Sequence, residues 1–159
     1  MMLNIKDTYN LHTKDEWLFT SSDNEYITEL TVINDNIVHL EVKGFVNINN
    51  MTEMWPKIEA AINEQLKGKK YFLIHNYKDL RSATNDARNN YLKWIDDNLE
   101  SIDAIYFYNV SAFFKILIQA GKFLSNRFDN TFILNSIDDI LNDIELKLKE
   151  TSKEKQNSY

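Results

Sequence analysis

The 159-residue sequence contains no cysteine, one proline and three glycines. Without cysteine there can be no disulfide, no thiolate metal ligand and no cysteine nucleophile, and nothing in the usage argues against a reducing compartment. With glycine only at 44, 68 and 121, neither a GxGxxG nor a GxxxxGK[ST] loop can be written, which disfavours dinucleotide and Walker-type phosphate binding. Scarcity of both turn residues also argues against a sandwich of many short strands and for helices with short connections. No serine lies in a GxSxG elbow, so an acyl-transfer triad has no motif behind it. No run approaches the ~18 apolar residues of a membrane span, and the N-terminus lacks a basic segment followed by an apolar one. A cytoplasmic location is expected. The formal net charge is −6 with lysines dispersed, which leaves no basic patch for a phosphate backbone.

What is present is one domain's worth of chain, and its organising stretch is Lys70–Ala87, KYFLIHNYKDLRSATNDA. A short apolar strand, Tyr71–Ile74, is followed by a polar turn and a helix that starts near Thr84 and keeps Ala87, Tyr91, Trp94, Ile95 and Leu99 close to one stripe. Upstream, residues 1–24 obey neither period for long and are expected to form an arm or an extra short element. Tyr26–Ile33 and Ile37–Val46 alternate around Asn34-Asp35-Asn36, side chains that tolerate a tight turn's positive φ, and predict a β-hairpin with Gly44 at a bulge. A helix capped by Asn50 or Thr52, with Pro56 in its first turn, then carries Met51, Met54, Trp55, Ile58, Ile62 and Leu66 at helical spacing and stops at Gly68.

Downstream, Ile102–Tyr108 reads as a strand, and Ser111 caps a helix to about Phe128 whose apolar residues occupy most of its circumference. Such a helix is either deeply buried or expects a partner, and weak self-association follows from the second case. A last strand, Thr131–Leu134, precedes a helix capped by Ser136 and carrying Ile137, Ile140, Leu141, Ile144 and Leu148, after which residues 151–159 are expected to fray. A hairpin followed by alternating helices and single strands implies an α/β fold with a mixed sheet: parallel neighbours joined by right-handed crossovers, and one antiparallel edge.

Residues able to carry chemistry are few. His12, His39 and His75 are far apart and none has a ligand-spaced partner, so no metal site is expected; His39 reads as facing solvent, and His75 ends a strand where open sheets bind ligands. Asp96-Asp97 and Asp138-Asp139 are adjacent positions on helices and read as solvated faces. Ser82, Thr84, Asn85 and Asp86 gather at the helix start after the central strand. Their bland explanation is capping, worth on the order of 1–2 kcal/mol; the functional one is an exposed hydroxyl where a phosphate is bound or attached.

At these residues the chain resembles a family. YFLIHNYKDLRSATNDARNNYL is similar to the strand–turn–helix of STAS-like domains, the fold of bacterial anti-sigma factor antagonists, with Asn76, Ser82-Ala83-Thr84 and Ala87-Arg88 at matching places. IYFYNVSAFFKILIQAGKFLSNRF and TFILNSIDDILNDIE resemble the elements that follow, so the likeness spans residues 25–149 by element order. It implies a STAS-like mixed sheet and a non-enzymatic regulatory module without cofactor, whose partner is a protein such as a regulatory kinase or an anti-sigma-like factor. In those antagonists a serine opening this helix is reversibly phosphorylated. Here Arg81-Ser82-Ala83-Thr84-Asn85 replaces their Asp-Ser-Ser-Gly-like signature. Ser82 and Thr84 are therefore the candidate phosphorylation sites, and Asn76, Asp79 and Arg88 join them as candidate partner contacts. The fold also resembles the lipid-carrying CRAL-TRIO domains, although the chain is short for their full cavity. A contrasting function is a small-molecule module in which aromatic and apolar side chains (Phe72, Tyr77, Phe107, Tyr108, Phe113, Phe114, Leu117) line a pocket for an apolar ligand.

Overall fold

A computed structural model describes residues 13–124 and 129–158. Strand β1 (Thr13–Thr20) pairs antiparallel with β2 (Tyr26–Ile33), which pairs antiparallel with β3 (Ile37–Val46). Helix α1 (Ile48–Leu66) leads to β4 (Tyr71–Asn76) and β5 (Leu80–Ala83), then come α2 (Asn85–Asp97), β6 (Ile102–Tyr108), α3 (Ala112–Leu124), β7 (Thr131–Ile133) and α4 (Ile137–Asn157). The sheet runs in the order β1-β2-β3-β4-β6-β7, with β3, β4, β6 and β7 parallel.

The hairpin turn forms as its residues predict: Asn34 and Asp35 take φ 51° and 66°, the left-handed pair that matches the twist of the flanking strands. Ahead of it, the extra element expected within residues 1–24 is strand β1, while residues 1–12, including His12, lie outside the described residues. Its register with β2 shifts between Thr13 and Glu16, which hides a clean alternation from a sequence scan. Strand β5 was not expected. β4 stops at Asn76, and after residues 77–79 the chain rejoins the same strand, pairing Leu80–Ala83 with the far end of β3. Gly44 bridges that gap by donating its N–H to the Asp79 carbonyl at 3.0 Å.

Gly44 also sits at φ +90°, and a Cβ on it would stand 1.9 Å from the Glu25 carbonyl oxygen. Gly44→Ala is therefore expected to lower stability by about 3 kcal/mol or more, since backbone strain and a clash with main chain act together. A chemical-denaturation midpoint within error of wild type would contradict the close approach.

Three helices cover one face of the sheet. Leu30, Leu40, Leu73, Ile105 and Phe107 point there, toward Met54, Trp55, Ile58 and Ile62 of α1 and Ala87, Trp94 and Ile95 of α2, with α3 alongside. The other face holds Ile37, Phe72, Ile74 and Tyr106 under Ile140 and Ile144 of α4. Every residue of β4 is buried, as its unbroken apolar run predicts for an interior parallel strand.

Several local expectations are corrected. Helix α1 is capped by Asn47, not Asn50 or Thr52: Asn47 Oδ1 accepts from Asn50 N and Asn50 Oδ1 accepts from Asn47 N, both at 2.9 Å. Starting the helix earlier leaves Pro56 in its interior, on the exposed side of the helix, where it donates no backbone hydrogen bond to the turn before it. His39 is buried, on the side of the sheet where Ile37 of the same strand packs with α4; its Nε2 lies 2.8 Å from the Tyr108 hydroxyl. The expected frayed tail is helical through Asn157, with Thr151 and Ser152 hydroxyls donating to the Lys147 and Leu148 carbonyls and Lys149 paired with Glu145 at 2.8 Å. Local i to i+4 bonding extends the helix there without any burial. Helix α3 is described to Leu124; the remainder of the predicted helix, 125–128, lies outside the described residues, as does Tyr159.

Candidate functional site

Between the three-helix face of the sheet and helices α2 and α3 lies a cavity of about 150 Å³. Its floor is β-sheet: Leu40 and Val42 of β3, His75 of β4 and Phe107 of β6. Its walls come from Trp55 of α1 and Ala87, Tyr91 and Ile95 of α2, and Phe114, Leu117 and Ile118 of α3 roof it in part, leaving it partly open to solvent. The interruption between β4 and β5 contributes Tyr77, whose ring centroid lies 5.3 Å from that of Phe107 and 5.7 Å from that of Phe114. Alternation along the strands dictates this composition. Odd-numbered residues of β4 and β6 face the helices, so Leu73, His75, Ile105 and Phe107 share one side.

The polar feature of the floor is His75, 1% exposed and stacked on Phe107 at 4.3 Å between centroids. Its Nδ1 lies 3.1 Å from the Tyr106 carbonyl, which can only accept, so Nδ1 carries the proton. Its Nε2 then accepts from the Tyr91 hydroxyl. Burial disfavours the imidazolium and pushes the His75 pKa down to about 3, so the ring is neutral at pH 7. Burial likewise raises the Tyr91 and Tyr77 phenols and pushes that of Tyr26, another lining residue, up to about 12. The pocket is therefore uncharged apart from Arg88, whose guanidinium donates to Asn85 Oδ1 and lies 5.9 Å above the Phe113 ring.

The structure divides the aromatic set that the sequence offered for a pocket. Tyr77, Phe107, Phe114 and Leu117 line the cavity. Tyr108 and Phe72 do not: they belong to the face under α4, because each is one residue out of phase with a cavity residue on its own strand. Phe113 is 60% exposed, since Phe114, the next residue round the helix, takes the inward position. His75, singled out in the sequence at a strand end, lines the cavity, whereas the sequence does not mark Trp55 or Tyr91 as site residues, although Tyr91 lies on the apolar stripe of α2.

The junction residues sit at the carboxyl edge of the sheet. Asn76 is buried and its Oδ1 accepts from Lys78 N and Asn109 Nδ2, both at 3.1 Å, holding the turn out of β4. Asp79 and Ser82 are exposed, the latter on β5. Thr84 occupies the N-cap position of α2, but its hydroxyl makes no capping bond. Instead it donates to Asp86 Oδ1, which also accepts from Ala87 N at 2.8 Å. The carboxylate thus takes the role expected of the hydroxyl, and the hydrogen bond from Thr84, the larger of these contacts, holds the Asp86 pKa below its ordinary value. Thr84→Ala is accordingly expected to lower stability by only about 0.5 kcal/mol or less, below the roughly 1 kcal/mol of a lost cap. A thermal-denaturation loss of a full cap's size would restore the capping role.

Comparison with known proteins turns on this arrangement of strands and helices. No family model matches the sequence, and no curated protein matches it. A solved structure does: an uncharacterized protein of the DUF3478 family from Shewanella loihica PV-4, described as having a SpoIIAA-like fold. It is similar over 89% of this chain and 97% of its own, with a TM-score of 0.53 and 11% sequence identity. The fold is SpoIIAA-like. The mixed sheet with its N-terminal hairpin agrees with the STAS-type architecture that the β4–α2 stretch resembles. At this identity the SpoIIAA-like likeness concerns the fold alone. Among the described residues, no helix is long and apolar enough to cross a membrane, and no group of three histidine or carboxylate side chains is placed to hold a metal ion.

Proposed function

We propose that this chain is a non-enzymatic binding module of regulatory type, and that a small apolar ligand occupies the cavity beneath α2 and α3. The observation that carries this reading is the cavity, about 150 Å³ and lined almost wholly by apolar side chains from sheet and helices. Apolar pockets of that size take up apolar guests. The chemistry of the polar groups supports a binding role: His75 and His39 are each hydrogen-bonded to a phenol, and neither is paired with a nucleophile. Freshly purified protein is expected to show, by native mass spectrometry, a bound small mass that is lost on denaturation, or to gain one on incubation with toluene. A protein that keeps its bare mass under both conditions, with an unchanged melting temperature, would contradict the reading.

A second reading, binding to a protein partner or weakly to a second copy, is favoured by α3 itself. Phe113 and Ile116 of α3 are 60% and 65% exposed on the helix that roofs the cavity, with Arg88 of the junction beside Phe113. The two readings combine naturally, because a ligand under α3 would bear on the position of its outer face. Within the junction, a phosphate on Thr84 would meet the Asp86 carboxylate, whereas Ser82 is exposed on β5, which makes Ser82 the better candidate for modification.

A further inference from the structure

We propose that the cavity selects a neutral, single-ring aromatic ligand that carries one hydrogen-bond donor, the chemical class of the simple phenols. This rests on the cavity-binding reading above and adds the identity of the guest.

Size is the first constraint. An apolar cavity of about 150 Å³ is the size that accommodates benzene, so one ring fits. Shape is the second. Trp55, Tyr77, Phe107 and Phe114 present ring faces and edges on several sides, surfaces that pair with another ring in offset or edge-on contact. Charge is the third. The floor holds a neutral imidazole with phenols beside it, so an ammonium placed there would lose its hydration without a countercharge, and the guanidinium of Arg88, the charged group of the lining, already donates to Asn85 Oδ1.

The direction of the hydrogen bonds supplies the last constraint. The Tyr106 carbonyl fixes the His75 proton on Nδ1, so Nε2 is an acceptor and the Tyr91 hydroxyl spends its only proton on it. The Tyr91 oxygen is left with accepting capacity alone. A guest O–H or N–H can donate to it, whereas a hydrocarbon leaves it unanswered.

Phenol and toluene, matched in size and shape, separate the possibilities when titrated calorimetrically into the full chain at pH 7. Phenol is better hydrated, so in a cavity without an acceptor it binds at least about tenfold more weakly than toluene. The proposal predicts that phenol binds as tightly as toluene or tighter, with NOE contacts from its ring to Tyr91 and Phe107. Leu117→Trp, at a half-buried position of the roof, should fill the space and abolish binding of both. Toluene tenfold tighter than phenol would overturn donor selection and leave the cavity-binding reading standing. No binding of either compound would overturn both. Phenol bound without NOEs to Tyr91 or Phe107, or with undiminished affinity in folded Leu117→Trp protein, would place it elsewhere and overturn the proposal.

Discussion

Leu73→Asp is expected to leave no soluble, folded protein. Leu73 is 0% exposed in β4, a strand with β3 on one side, β6 on the other, and α1 packed across its face. Removing the leucine forfeits roughly 2–3 kcal/mol of apolar burial. Placing a carboxylate there adds several kcal/mol of desolvation, or the loss entailed in protonating it, with no cation among the neighbours to offset it. The sum approaches the roughly 5–15 kcal/mol by which a domain of this kind is stable at all. Soluble expression with a wild-type circular dichroism spectrum and an unchanged unfolding midpoint would remove β4 from the interior and undo the topology.

Acidification should destabilise the protein before most carboxylates titrate. Burial lowers the pKa of His39 to about 4 and that of His75 to about 3, against about 6.5 in the unfolded chain. Above pH 6.5 both states are neutral and the full stability is present. Between pH 6.5 and 4 the unfolded chain takes up two protons that the folded one refuses, so the unfolding free energy falls with pH throughout that window. Shifts of this size correspond to roughly 3 kcal/mol or more per histidine. Urea midpoints measured from pH 7.5 to 4.5 should therefore decline steeply, with the slope of about two protons near pH 5. A flat profile over that range would mean that the imidazoles are not buried in neutral form.

Both effects originate in parts of the chain that differ in how much the sequence discloses. The order of hairpin, helix and strand–helix units follows from periodicity, because each element buries one face or stripe and says so in its spacing. Interior strand β4 announced itself by an apolar run with no alternation. His39 did not, since a residue on the polar phase of a strand reads as solvent-facing unless the helix packed on that side of the sheet, here α4 from 98 residues further along the chain, is already in place. β1 and β5 were hidden for another reason: each departs from regular register with its neighbour, and a four-residue strand such as LRSA carries too few apolar positions to show a period.

The site was legible in its ingredients and not in its grouping. Tyr77, Phe114 and Leu117 belonged to the aromatic and apolar set that the sequence offered, and they meet in the cavity. Tyr108 and Phe113 belonged to the same set and point elsewhere, because one residue of phase along β6 or α3 decides which side a ring occupies. The His75–Tyr91 hydrogen bond joins a strand end to a helix stripe 16 residues later, a contact fixed only by how α2 crosses the sheet. At the junction, the Asp86 carboxylate and not the Thr84 hydroxyl meets the α2 backbone, a choice between neighbouring side chains that residue type alone does not reveal.

What matters most is whether the apolar pocket beneath α2 and α3 receives a guest. X-ray diffraction from crystals of the full chain held under xenon pressure tests it most directly, because xenon enters apolar cavities of this size and scatters strongly. A xenon peak in van der Waals contact with Phe107, Tyr91 and Phe114, with the helices unmoved, is the predicted result. A chamber filled by a chain of ordered waters, or closed by collapse of α3 onto the sheet so that no xenon enters, would contradict the account.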